Sequence, residues 1–82
     1  MKNLINLTNL KEGDEGKIAD IAAGWKATKR LSDLGLTPGT EIKVLKKGLF
    51  LGPVEIKCRG AKLAIGCGLC RKIFITKDES KK

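Results

Sequence analysis

Cys67-Gly68-Leu69-Cys70 is the one place in this 82-residue chain where residue types and spacing could do chemistry. Two thiolates three positions apart can grip a metal ion from a single turn, the spacing that recurs in zinc and iron–sulfur sites. A closed tetrahedral site needs four ligands. The chain offers three cysteines and no histidine. Cys67 and Cys70 would therefore hold zinc or ferrous iron by meeting their symmetry mates across an isologous homodimer. Cys58 is expected elsewhere. With Arg59-Gly60 as a two-residue hairpin turn, Cys58 pairs with Ala61, Ile56 with Leu63 and Val54 with Ile65. Period-two alternation then sets Cys58 beside Ile56 and Val54 on an apolar face, as a small buried hydrophobe. A thioredoxin-like redox role is not expected, because the motif lies between late strands with no predicted helix N-terminus to lower a thiol pKa.

Other chemistry is sparse. Histidine and tyrosine are absent, and no Ser or Thr stands beside a plausible base. The carboxylates are scattered, and none falls in an apolar run that would raise its pKa. No catalytic residue is assigned, and the chain is not expected to be an enzyme. Gly48-Leu49-Phe50-Leu51-Gly52 is glycine-flanked but lacks the lysine and helix of a phosphate loop. Its apolar tip, Leu49, Phe50 and Leu51, either folds back on the domain or contacts a partner. Trp25 has the same two readings, a core or helix-staple residue or an interface anchor.

Charge is unevenly placed. Residues 1–24 carry a net −1 and residues 25–82 a net +9, for +8 overall. Such a surface can meet an acidic protein, an anionic membrane or nucleic acid, or simply keep the chain soluble. A nucleic-acid-binding barrel is the alternative reading, disfavoured by one Trp, two Phe and no Tyr for base stacking. The longest apolar runs are far short of the roughly 20 residues that cross a bilayer. With no secretory h-region either, the expectation is a cytoplasmic protein that reaches a membrane only through a partner.

The elements that must position these residues read as short β runs punctuated by glycine, the pattern of a small barrel. Leu4 to Leu7 forms an expected edge strand, followed by a turn at Thr8 to Leu10. Strands are expected over Gly16 to Ala22, Glu41 to Lys46, Val54 to Cys58, Ala61 to Ile65 and Lys72 to Thr76. One helix interrupts them. From Trp25 to Leu34, Ala27, Leu31 and Leu34 fall at i, i+4 and i+7, an apolar face opposite Lys26, Lys29 and Arg30. Gly35 ends it and Pro38 prevents continuation. Leu10-Lys11-Glu12-Gly13-Asp14 echoes Leu36-Thr37-Pro38-Gly39-Thr40, which suggests two similar turns leading into strands. One domain is expected over 1–82, its ordered core about 4–76 and its tail 77–82 frayed.

The ordered series then becomes specific. Arg30-Leu31 followed by Leu34-Gly35-Leu36-Thr37-Pro38-Gly39 resembles the FeoA family. Downstream, Gly52-Pro53-Val54-Glu55-Ile56, Arg59 to Ile65 and Lys72-Ile73-Phe74-Ile75 are similar to that family's later strands. Upstream, Leu7, Leu10, Gly13 and Gly16-Lys17-Ile18 match its opening. The resemblance spans roughly residues 4 to 76. It implies a mainly β, SH3-like barrel of five to six strands with one short helix inserted after the first long strand. It also implies a role in ferrous-iron uptake beside FeoB, a membrane transporter with a cytoplasmic GTPase domain. The basic helix face (Lys26, Lys29, Arg30) and the Leu49–Leu51 tip are the candidate contacts. A similar module forms part of some metal-responsive repressors, but 82 residues leave no room for a DNA-binding domain, so the free-standing form is expected. The resemblance does not extend to metal ligands at Cys67 and Cys70.

Overall fold

A computed structural model describes residues 4–48 and 52–77. Alternation of apolar and polar residues gives six strands, all paired antiparallel: β1 (Leu4–Asn6), β2 (Glu15–Ile21), β3 (Glu41–Lys47), β4 (Val54–Cys58), β5 (Ala61–Ile65) and β6 (Ile73–Thr76). Their order in the sheet is β1-β6-β2-β3-β4-β5. The inward phase is the one that the alternation selects: Ile18, Ile42, Val44, Val54, Ile56, Ile65, Ile73 and Ile75 are all buried. The result is the expected mainly β, SH3-like fold. The leucines of the connections, Leu7, Leu10, Leu31 and Leu36, close the core. The Leu49–Leu51 tip and the tail beyond Lys77 lie outside the described residues.

The echo between the two turns is a structural fact. Asp14 donates its backbone N–H to Lys11 O at 2.9 Å, and Thr40 donates to Thr37 O at 3.0 Å. Gly13 and Gly39 take the left-handed φ that the third position of a type II turn demands, +93° and +94°. Each turn then clamps the other's strand. Gly13 N–H reaches Val44 O at 2.8 Å and Gly39 N–H reaches Ile18 O at 2.7 Å, while Val44 and Ile18 donate back to Asp14 O and Thr40 O. Every partner is displaced by 26 residues from its counterpart (39 − 13, 44 − 18), so a local pseudo-twofold axis passes through the facing pair Gly16 and Ile42. Gly16 is required there, because a Cβ would stand 2.5 Å from Ile75 Cγ2 and 2.8 Å from Thr76 O.

The expected helix is present as α1 (Trp25–Asp33). It ends in a Schellman turn: Leu36 N–H donates to Leu31 O and Gly35 N–H to Ser32 O, both at 2.9 Å, with Gly35 at φ +90°. Two expectations about its faces are corrected. Leu34 is 47% exposed rather than part of the apolar face. It is the C-cap, and the Schellman turn swings Leu36 onto Leu31 in its place. Trp25 is 75% exposed, neither core nor staple. Counting about 100° per residue, it lies about 120° around the helix from Leu31, the only α1 residue that is buried.

Candidate functional site

Gly66 leads into a single helical turn, α2 (Cys67–Cys70), where the sequence predicts only a connection between strands. The turn separates the two thiols. Cys70 is fully buried, and its Sγ donates to Ile65 O at 3.4 Å. Burial, reinforced by the neighbouring Cys67, pushes its pKa up to about 11, with the Val54 amide working against the rise. It is a protonated thiol at neutral pH and a poor nucleophile. Cys67 is half-buried and borders a cleft of about 230 Å³ together with Thr8, Lys47 and Arg71. The two thiols thus stand in different environments, Cys67 bordering the cleft and Cys70 within the core. Cys58 is buried as expected, and its Sγ points to Gly35 O at 3.9 Å. Among the described residues, no group of three or more Cys, Asp or Glu side chains comes together to hold a metal ion.

The basic helix face is presented as the sequence implies. Lys26, Lys29 and Arg30 are all exposed. Lys29 pairs with Asp33 one turn on at 3.6 Å, with both side chains largely in water. Trp25 sits one helical turn before Lys29, so an indole and ammonium groups share the start of α1. An unburied Trp beside cations is the kind of anchor that protein interfaces favour.

A second feature escapes the sequence reading. Glu15, Lys17, Glu41, Lys43, Lys57 and Arg59 border an open groove of about 630 Å³ on the outward side of β2, β3 and β4. Strand alternation places the five strand residues on that side and the hairpin turn places Arg59, but only the register shows that they adjoin. The β4–β5 half of that register follows from the Arg59-Gly60 turn. The β3–β4 half depends on a bulge between Val44 and Lys46 that leaves no mark in the residue pattern.

Fold and surface together define a small antiparallel barrel that presents charged faces, with no catalytic constellation among the described residues. The FeoA domain model matches residues 5–77. Fe(2+) transport protein A of Methanocaldococcus jannaschii is 39% identical over 69 residues, covering 84% of this chain and 82% of that protein. The crystal structure of an iron uptake regulatory protein, FeoA, superposes with a TM-score of 0.85 at 34% identity, over 93% of this chain and all of that one. A manganese-dependent transcriptional repressor shares the fold at a TM-score of 0.88 and 19% identity, with 44% of its chain matched. The chain belongs to the FeoA family.

Proposed function

We propose that this protein is an accessory of ferrous-iron uptake that works in the cytoplasm by binding the cytoplasmic domain of an FeoB-type transporter. The observation that carries the reading is the exposed start of α1, where Trp25 stands 75% exposed beside Lys26, Lys29 and Arg30 in a member of this family. An exposed Trp contributes nothing to the core, whereas a Trp that becomes buried at an interface is among the strongest anchors known. The relative named for Fe(2+) transport supports the iron pathway. Among the described residues no helix is long and apolar enough to cross a membrane, so contact with a transporter falls to surfaces such as this one.

The test is a pull-down of the transporter's cytoplasmic domain in each nucleotide state. Wild-type protein is expected to bind, and Trp25→Ala to weaken binding by about tenfold or more, the loss of a single anchor residue. Absence of binding in every nucleotide state overturns the proposal.

A further inference from the structure

The sheet register lines up three lysines that lie far apart in the sequence. Lys43 of β3 is directly opposite Lys57 of β4, and Lys57 is directly opposite Lys62 of β5. All three are exposed and stand on the outward side, since Ile42, Val44, Ile56, Cys58 and Ile65 take the inward phase. Among the described residues, no carboxylate lies within ion-pair distance of any of them. Like charges directly opposite one another weaken a sheet. A solvated surface needs its lysines somewhere, but not stacked rung on rung. Arg59 adds to the anomaly: it takes φ +54° in the hairpin turn, a position that Asn, Asp or Gly fills more easily. Cations are thus held here against local preference twice over. Across the sheet, the row reads Glu15, Lys43, Lys57, Lys62.

We propose that this face is a docking surface for an acidic helix of a partner protein. Neighbouring rungs of the row are set by the strand spacing, about 4.8 Å. Carboxylates at i, i+3 or i+4, and i+7 recur along one side of a helix at about 5–6 Å, close to that spacing. An extended chain repeats each side only every two residues, about 6.7 Å, and falls out of step. Nucleic acid fits less well. No aromatic side chain borders the groove for base stacking. The inference rests on the partner-binding reading above and adds a second surface, with the chemistry of the segment it takes.

The test uses a stapled peptide of about fifteen residues with glutamates at i, i+4 and i+7, and an isomer with the same glutamates spread around the helix. Binding is followed by fluorescence anisotropy at low salt and at about 0.2 M NaCl. The patterned peptide is expected to bind wild-type protein at least about tenfold more tightly than the Lys43→Gln/Lys57→Gln/Lys62→Gln variant, with the preference shrinking as salt rises. The Lys26→Gln/Lys29→Gln/Arg30→Gln variant should bind within about twofold of wild type. Because the triple ladder variant sheds repulsion, it should unfold at no lower urea concentration than wild type; a clear loss of stability would assign the lysines to the fold and overturn the proposal. Equal binding of the two peptides overturns it too. So does tighter binding of single-stranded oligo(dT), or of phosphatidylglycerol vesicles, than of the patterned peptide. Parallel pull-downs of the transporter domain separate the two readings. Retention by wild type and the ladder variant alike sinks the ladder alone. Peptide binding without transporter binding sinks only the transporter.

Discussion

Cys70 shows how burial divides a motif into unlike residues. Two thiols separated by two residues suggest a metal clip, but the geometry gives them different environments. Cys70 has no exposure and donates to Ile65 O, while Cys67 is only half-buried. Alkylation at pH 8 should therefore label Cys67 in the native protein and spare Cys58 and Cys70, which mass spectrometry of the intact chain reports directly. The raised pKa has a consequence for stability whose sign is fixed. In the unfolded chain Cys70 ionises near the ordinary value of 9.0, and in the folded chain near 11. Between those values the unfolded state has lost the proton that the native state keeps, so stability is full below pH 9 and falls as pH rises toward 11. Expected is a loss of roughly 1–2 kcal/mol across that window relative to Cys70→Ala measured at the same pH values by urea denaturation. Parallel pH profiles for the two proteins would show that burial does not hold the proton.

At the scale of elements, α1 divides its residues between folding and presentation. The Schellman turn at its end is a folding device. It needs the left-handed Gly35, and it brings Leu36 onto Leu31, both fully buried. Its start is a presenting device, with Trp25 in solvent. Gly35→Ala should cost about 1 kcal/mol through its positive φ, whereas Trp25→Ala should change stability by no more than about 0.5 kcal/mol. Urea midpoints of the two variants check both values, and a large loss in Trp25→Ala would mean that the indole packs. Much of this was legible in the residues. Gly35 and Pro38 announced the end of the helix, alternation placed the strands, and Arg59-Gly60 gave the β4–β5 register residue for residue. The faces of α1 were less so, because a three-residue periodicity cannot tell that the last apolar residue, Leu34, has already left the helix. The turn at Cys67–Cys70 was missed because two of the four residues that follow Ile65, Gly66 and Gly68, argue locally against a helix.

For the molecule as a whole, the same pairing that builds the barrel decides where its charge accumulates. Around the pseudo-twofold axis the charges are complementary, with Glu15 opposite Lys43 and Lys17 opposite Glu41. Beyond it, β4 offers one complementary pair, Glu55 opposite Lys46, and along the Lys43, Lys57 and Lys62 row lysine faces lysine. No reading of single segments could show this, since net charge is a property of composition while repulsion is a property of register. The ion pairs among the described residues do little to offset it. Lys29–Asp33 and Lys77–Asp14 each span 3.6 Å with their side chains at least partly in water, and pairs of that kind contribute about 0–1 kcal/mol. Screening should consequently remove more repulsion than attraction from a chain of net charge +8. Stability in urea, a denaturant that leaves ionic strength unchanged, is expected to rise by about 1 kcal/mol between roughly 0.02 and 0.5 M NaCl. Lys57, the middle rung, faces a lysine on each side, so Lys57→Gln should be more stable than wild type at low salt and should flatten the salt dependence. A salt response that is unchanged by Lys57→Gln would place the self-repulsion elsewhere on the surface and leave the ladder energetically neutral.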